Sequence, residues 1–164
     1  RRFTTKPIRV AASILNSETY TEGTGSQNLG VNVRKAPSVI TAGARQAYEK
    51  AGLGPQDVDA IELHDAFATS ELIHYEELGL CKAGEGGRLI DEGVVELGGR
   101  IPVNPSGGLL AKGHPLGATG IAQIVEIAWQ LRGNCGARQV AGAKVGLTEA
   151  AGTNGVNTTH ILTA

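Results

Sequence analysis

Two histidines stand in local sequences that could support acid–base chemistry. His114 lies between Gly113 and Pro115, where glycine permits close backbone approach and proline fixes φ, so a stiff turn would hold its imidazole. A rigid imidazole suits a general base, and the helix predicted shortly after it would favour the neutral ring and stabilise a developing oxyanion. A turn histidine with a hydrogen-bonded ring is the alternative that these local features leave open.

His64 precedes Asp65 at the junction of a predicted strand and a predicted helix. Asp65 is a favourable N-cap for that helix, so a structural role for His64 is as well supported as a chemical one. His74 and His160 are predicted to be structural, because they fall within a helix and a strand. His64 and His114 therefore form the candidate pair.

Other kinds of site are disfavoured because their spacings are missing. The sequence has no H-E-x-x-H and no paired C-x-x-C, so no metal site is expected. Ser106 stands in N-P-S-G-G and not in G-x-S-x-G, which predicts a turn residue. The glycine-rich loops lack the phosphate-binding signatures, and Cys81 and Cys135 have no adjacent base in sequence, which predicts ordinary thiols.

The hydrophobic pattern predicts the elements that must position these histidines. Apolar runs and alternation predict four strands, at residues 8–15, 58–63, 143–147 and 156–162. Helical spacing predicts three helices, at residues 38–51, 65–77 and 121–131. This order predicts an α/β sheet covered by helices, and His64 falls at the carboxyl end of a strand, where ligands gather in such sheets.

Glycine and turn residues fill the remaining segments. Residues 21–30, 104–120 and 148–155 are predicted to be loops, and residues 81–102 an excursion over the surface. His114 thus lies in a loop that leads into the last predicted helix.

Composition excludes several classes of protein. A formal net charge of -1 gives no electrostatic footprint for nucleic acid, and no apolar run approaches the roughly 18 residues of a membrane span. Two cysteines are too few for a secreted disulfide scaffold, so a reducing, cytoplasmic compartment is expected. A chain of 164 residues is long enough for one compact domain, and a first residue other than Met suggests a processed piece.

Three motifs in one order carry a resemblance to a known family. HDAF at 64–67, NPSGG at 104–108 and GHPLGATG at 113–120 resemble the thiolases, and most closely the sterol-carrier-protein type with its bacterial lipid-transfer relatives. The likeness runs from about Ala36 to Gly152. Thiolases consist of two similar halves, and the sequence resembles the C-terminal one. The resemblance implies that residues 1–164 form a thiolase C-terminal domain, with a mixed five-stranded sheet covered by helices.

The resemblance also implies roles and partners. His114 would activate a nucleophilic cysteine supplied by the N-terminal half and help bind a thioester oxyanion, while His64 would complete an oxyanion hole. Coenzyme A would be a substrate, with no further cofactor and no metal. A homodimer, a possible small OB-fold partner and an inactive isolated domain follow in the same way. Contacts with substrate or coenzyme A are implied for Asn104, Gly107, Gly108 and Gly113.

The chain departs from the family where a second acid–base cysteine is expected. Sterol-carrier-type thiolases carry that cysteine where this chain has Ala66, and other thiolases carry it where this chain has Ala151. Carbon–carbon cleavage needs proton transfer at the α-carbon, so the departure bears on the reaction.

Three functions therefore stay open. The first is an acyltransferase that acts on 3-ketoacyl-CoA and acetyl-CoA with another proton shuttle. The second is a retro-aldolase on a hydroxyacyl-CoA of the steroid side-chain type, although such aldolases tend to carry tyrosines at the positions of His64 and His114. The third is a non-catalytic subunit that binds acyl-CoA or lipid.

Overall fold

A computed structural model describes residues 6–17, 37–152 and 155–164, so the loop predicted at 21–30 lies outside the described residues. The first elements of the described part are strand β1 (Arg9–Ser17), helix α1 (Val39–Ala51), strand β2 (Ala60–Glu62) and helix α2 (Ala68–Glu77). Two short helices follow, α3 (Gly86–Asp91) and α4 (Gly108–Lys112). Helix α5 (Thr119–Arg132) then leads into strands β3 (Val145–Gly152) and β4 (Val156–Thr163).

The strands form one mixed sheet in the order β1-β4-β3-β2. Strand β4 pairs antiparallel with β1 and with β3, whereas β2 pairs parallel with β3, with Ile61 opposite Leu147. Helix α1 packs against β1 and β4, and helix α5 packs against β3 and β2. The α/β class predicted from the sequence is confirmed.

Alternating side chains along the strands send apolar groups to both faces of the sheet, as the strand period requires. Ile61 and Ile161 are buried in the larger core with α1 and α2, whereas their neighbours Ala60 and Leu162 are buried in a smaller core with Ile127 of α5. The two cores explain why α1 and α5 lie on opposite faces of the sheet.

The ends of helix α1 match the signals in its sequence. The Ser38 side chain accepts a hydrogen bond from Thr41 N at 3.1 Å, which satisfies one of the free N–H groups of the first turn. The helix ends at Gly52, which adopts a left-handed conformation with φ of 68°. The predicted helix at 38–51 is therefore confirmed within one residue.

The prediction of five strands was wrong for the described part of the chain, where the sheet has four. The segment after residue 100 forms only a single parallel bridge to the sheet, between Ile61 and Val103. Pro102 has no N–H to extend the pairing, and Asn104 turns the chain away with φ of 49°. This segment passes beside β2 without becoming a strand.

Residues 81–102 were predicted to be a surface excursion, but they contain helix α3 and contribute to the core. Leu89, Val95 and Ile101 are buried there. These apolar residues are separated by glycine and charged residues, so the segment has no helical or strand period to detect. The structure therefore corrects the assignment.

The predicted loops at 104–120 and 148–155 also differ from the structure. Helix α4 lies within the first, and β3 continues to Gly152 through the second. Thr148 and Glu149 are buried polar residues of β3, and their polarity hides the strand from a reading of hydrophobicity. Within the described ranges, no helix combines the length and apolar character that crossing a bilayer requires.

Gly146 on β3 offers a test of the packing between the sheet and α5. A Cβ atom at this position would lie 2.3 Å from Ile127 Cγ2, so helix and strand touch only because glycine has no side chain. We expect Gly146→Ala to lower the free energy of unfolding by about 1–3 kcal/mol, measured by urea denaturation of the 164-residue chain. Gly87→Ala is the control, because a Cβ at Gly87 meets nothing within 4 Å. Equal stability of the two variants would contradict this packing.

Candidate active site

His64 follows the end of β2 in a loop that side chains hold in place. Leu63 N donates a hydrogen bond to Asn104 Oδ1 at 2.9 Å, and His64 N donates to Glu149 Oε2 at 3.1 Å. Two successive backbone N–H groups are thus bound by side chains and not by a neighbouring strand. The backbone of His64 is fixed at the carboxyl end of β2, where the sequence predicted a site.

His114 lies in the turn between α4 and α5. Its ring Nδ1 is 2.8 Å from Thr119 Oγ1 at the first residue of α5, and the Thr119 hydroxyl donates to the Pro115 carbonyl at 3.3 Å. With its proton directed to Pro115, the hydroxyl is an acceptor for Nδ1–H. This tautomer leaves the lone pair on Nε2 of His114, as a general base requires.

The rings of His64 and His114, each carried by one of these loops, are in contact. Their centroids are 4.8 Å apart and their planes make an angle of 86°, an edge-to-face contact. His64 is half-buried and His114 is exposed. Burial lowers the pKa of His64, and the nearby rings of His114 and His74 lower it further against the opposing charge of Glu149. His64 is therefore a neutral imidazole at pH 7.

Two polar atoms of this site are buried without a hydrogen-bond partner in the described part of the chain, His64 Nδ1 and Asn104 Nδ2. The other end of the Asn104 amide is fixed by Leu63 N, next to His64. Buried polar groups are nearly always paired in folded proteins, so these two atoms call for a partner that the described residues do not supply.

Asp65 joins the two histidine loops, contrary to the prediction that it caps the following helix. The N-cap of α2 is Phe67, which provides no side-chain hydrogen bond. Asp65 instead accepts from Leu109 N at 2.7 Å and from Leu110 N at 3.3 Å, at the start of α4. The Asp65 carboxylate therefore binds the N–H groups of a helix that is distant in sequence. No local sequence pattern could indicate that contact.

Glu62 makes a second connection between the loops. Its buried carboxylate accepts from Ser106 N at 3.1 Å and from Ser106 Oγ at 2.7 Å, and Lys112 Nζ lies 3.6 Å from Oε2. Burial raises the pKa of Glu62, although the contacts with Ser106 and Lys112 oppose the rise. The NPSGG turn is therefore tied to the end of β2.

The three glycines predicted to contact substrate have local backbone reasons for being glycine. Gly107, Gly108 and Gly113 adopt φ of 97°, 61° and 84°, which other residues rarely adopt. A Cβ on Gly108 would lie 2.0 Å from Asp65 Oδ2, so this glycine allows the Asp65 carboxylate to reach α4. Their contact with substrate remains a prediction.

A fully buried carboxylate, Glu149, lies beneath the His64 loop. Besides His64 N, it accepts a hydrogen bond from Asn157 Nδ2, and its Oε2 is 3.2 Å from His74 Nδ1, an ion-pair distance without hydrogen-bond geometry. Burial alone would lower the pKa of His74, but the contact with Glu149 raises it. His74 is thus a buried partner for Glu149, as its predicted structural role suggests.

The two alanines that replace the expected cysteine lie on different elements. Ala66 follows Asp65 in the turn before α2, and Ala151 lies on β3. Ala151 lines a cavity of about 240 Å³ together with His74 and Ser70. Neither alanine has a group that could transfer a proton.

The two cysteines are poor nucleophiles in their surroundings. Burial raises the pKa of Cys135 to about 11, and the neighbouring Glu126 carboxylate adds to the rise. Burial also raises the pKa of Cys81. Both are free thiols, and in the described ranges no group of three or more potential ligands could hold a metal ion.

Sequence reasoning missed Thr119 and Glu149. Thr119 had a weak signal, because it stands five residues after His114 and two residues before a predicted helix. No local sequence signal indicated Glu149, because it stands among small residues in a segment predicted to be a loop. Only the pairing of β3 brings its side chain beneath His64.

The pair of His74 and Glu149 predicts a pH-dependent stability. Because the folded pKa of His74 is raised, its stabilising contribution is complete below its ordinary value of about 6.5 and is lost as pH rises through the folded pKa. We expect His74→Gln to lower the free energy of unfolding more at pH 6 than at pH 9, in urea denaturation of the 164-residue chain.

His160→Gln is the control of opposite sign. Burial lowers the pKa of His160, so the wild-type residue costs stability as pH falls. This variant should gain stability relative to wild type at pH 6. A His74→Gln effect that is equal at both pH values would contradict the ion pair.

Comparisons with known proteins identify the family of this chain. Residues 26–164 match a family model described as "Thiolase C-terminal domain-like". The chain is 48% identical over 165 residues to sterol carrier protein 2 of Rattus norvegicus, covering 88% of this chain and 30% of that protein. It is 44% identical over 162 residues to an acetyl-CoA acetyltransferase of Methanothermobacter thermautotrophicus, covering 98% of this chain and 41% of that protein.

A solved structure extends the likeness to three dimensions. The structure of an "Ltp2-ChsH2(DUF35) aldolase" matches with a TM-score of 0.77 and 29% identity, over 97% of this chain and 40% of that chain. The chain spans less than half the length of these relatives. The family match, the fold and the order of the motifs agree: the chain belongs to the thiolase C-terminal domain family, in its sterol-carrier-protein type.

Proposed function

We propose that this domain is the C-terminal half of an acyltransferase that acts on 3-ketoacyl-CoA and acetyl-CoA thioesters. The observation that carries the proposal is the edge-to-face contact of His64 and His114, with ring centroids 4.8 Å apart. Residues 1–164 supply the two imidazoles, and an N-terminal half supplies the nucleophilic cysteine. Coenzyme A is a substrate in this scheme, and no further cofactor is needed.

His114 acts as the general base. Thr119 holds Nδ1, so the lone pair of Nε2 can accept the proton of a thiol brought to the exposed side of the ring. In cleavage of a 3-ketoacyl-CoA, the resulting thiolate attacks the 3-keto carbon, the bond between C2 and C3 breaks, and the proton taken up by His114 passes through another proton shuttle to C2 of the departing acetyl-CoA. Free CoA then takes the acyl group from the cysteine, whose thiol is restored. Helix α5, which begins at Thr119 and has 14 residues, places its positive end beside this ring.

His64 helps to bind the oxyanion that forms during the attack. A neutral imidazole has one N–H group to donate, and burial keeps the His64 ring neutral. His64 Nδ1 and Asn104 Nδ2 are buried and unpaired, so a buried water that bridges them to the ligand oxygen would satisfy them. Substrate or coenzyme A contacts at Asn104, Gly107, Gly108 and Gly113 belong to the same proposal.

An exposed apolar stripe on α5 supports an interface between this domain and an N-terminal half. Ile121, Val125 and Trp129 recur every four residues on this helix, with exposures of 66%, 37% and 44%. Such an apolar stripe needs a cover in a folded protein. We assign it to the N-terminal half, because the chain spans only 30–41% of its relatives' lengths.

Partners and location are further parts of the proposal. A homodimer of the full-length protein and a small OB-fold partner are taken from the resemblance, and the Ltp2-ChsH2 aldolase, whose name joins two components, supports a second subunit. A cytoplasmic location is proposed from the low cysteine content.

A retro-aldolase acting on a hydroxyacyl-CoA is the second candidate. The match to the aldolase structure, with a TM-score of 0.77, favours it. The absence of a thiol at Ala66 and Ala151 also favours it, because acyl transfer to an α-carbon requires a second proton-transfer group. A lipid-binding subunit is the third candidate, supported by the likeness to sterol carrier protein 2.

Turnover assays separate these functions. We expect the full-length protein to release acetyl-CoA from a 3-ketoacyl-CoA and free CoA, measured by chromatography of the CoA esters. The 164-residue chain alone should release none. Aldehyde or ketone release from a β-hydroxyacyl-CoA, without thiolysis, would establish the aldolase instead. Saturable binding of acyl-CoA with neither reaction would identify the lipid-binding subunit.

His114→Ala tests the assignment of the base. We expect it to lower kcat/KM of the full-length protein by at least about 10²-fold, because the base and part of the oxyanion site are both removed. His160→Ala is the matched control, since His160 contacts Ser13 on β1 and should leave turnover unchanged. An unchanged rate for His114→Ala would remove this residue from the mechanism.

A further inference from the structure

We propose that Glu149 is a positioning residue for His64, an inference that rests on the proposed function of the histidine pair. Its two oxygens have separate partners: Oε2 accepts from His64 N at 3.1 Å and lies 3.2 Å from His74 Nδ1, while Oε1 accepts from Asn157 Nδ2. The carboxylate therefore links β3, β4, helix α2 and the His64 loop.

Stability alone does not explain a carboxylate at this place. Glu149 is fully buried, and it stands on β3 in the layer that packs against α1 and α2. Removing a charge from water is costly, and replacing a buried ion pair by apolar residues is often neutral or stabilising. An apolar side chain would pack into the core, but it could not accept a hydrogen bond from His64 N.

The His64 loop depends on that hydrogen bond because the sheet does not hold it. The parallel pairing of β2 with β3 ends at Glu62, opposite Thr148. Beyond it, Asn104 holds the N–H of Leu63 and Glu149 holds the N–H of His64. The ring itself has no partner at Nδ1 among the described residues, so the position of the ring follows from its backbone and from its contact with His114.

His74 balances the negative charge of Glu149. It lies in helix α2, which starts four residues after His64, and its side chain is 9% exposed. The ion pair thus ties helix α2 to the same carboxylate oxygen that holds the His64 backbone. Movement of Glu149 would shift both ends of the segment that carries His64.

The test uses the full-length protein with two substitutions at this position. We expect Glu149→Leu to lower kcat by at least about 10-fold while KM changes by less than about threefold, because a small misplacement of a reacting group costs rate more than binding. Glu149→Gln keeps one oxygen that can accept from His64 N, so it should recover a measurable part of the lost kcat.

Glu126→Gln is the matched control. Glu126 is also buried and ion-paired, but its partners are Arg138, Cys135 and Gln130 at the far end of α5. Glu126→Gln should lower the free energy of unfolding but leave kcat, calculated per folded molecule, unchanged. A loss of kcat in Glu149→Leu no greater than in this control would overturn the proposal.

Crystal structures of the same variants provide a readout that does not depend on turnover. In Glu149→Leu, the His64 ring should leave its edge-to-face contact with His114, whereas in Glu149→Gln the contact should persist. An unmoved His64 ring in Glu149→Leu would overturn the positioning role, whatever the rates. If wild type does not cleave 3-ketoacyl-CoA, the proposed function fails, but the ring displacement still decides the role of Glu149. If Glu149→Leu does not fold, the rate of Glu149→Gln decides it: a kcat below that of Glu126→Gln supports the positioning role, and an equal kcat would overturn it.

Discussion

Two buried carboxylates that bind backbone N–H groups of a distant loop are the interactions on which this site depends. Glu62 and Asp65 flank the end of β2, and together they bind Ser106, Leu109 and Leu110. A buried carboxylate is stable only when donors satisfy its oxygens, so these acids and this loop require each other. The loop that carries His114 begins where they hold it, which is why two histidines fifty residues apart share one contact.

The two histidines of the site differ in how they are held and in their exposure to solvent. His64 is fixed through its backbone, kept neutral by burial and placed just after the end of the edge strand β2. His114 is exposed, but Thr119 fixes its tautomer and the turn fixes its direction. A neutral donor beside a held base suits the proposed nucleophilic attack on a substrate carbonyl. In the proposed reaction the thiol comes from an N-terminal half.

The elements that could be predicted from the sequence are those with a regular hydrophobic pattern or with residues that cap a helix. Helix α1 is indicated by Ser38 and Gly52, and the strand-like stretch predicted at 156–162 is β4 within one residue. The site was predictable only as two separate histidines, until the order of the motifs indicated a family. Asp65 was assigned to the wrong helix, and β3 was predicted to end too early, because Thr148 and Glu149 are polar residues whose partners lie on other elements. Hydrogen bonds between distant segments leave no periodic trace in a sequence.

The parallel pairing of β2 with β3 also determines when the site can form during folding. Ile61 lies opposite Leu147, so most of the helical chain lies in the connection between two neighbouring strands. Contacts between residues so far apart in sequence form slowly, because the connection must lose its entropy before the pairing stabilises it. Glu149 stands two residues beyond Leu147 and holds His64. The backbone of His64 therefore gains its hydrogen bond from Glu149 only once β3 has paired with β2.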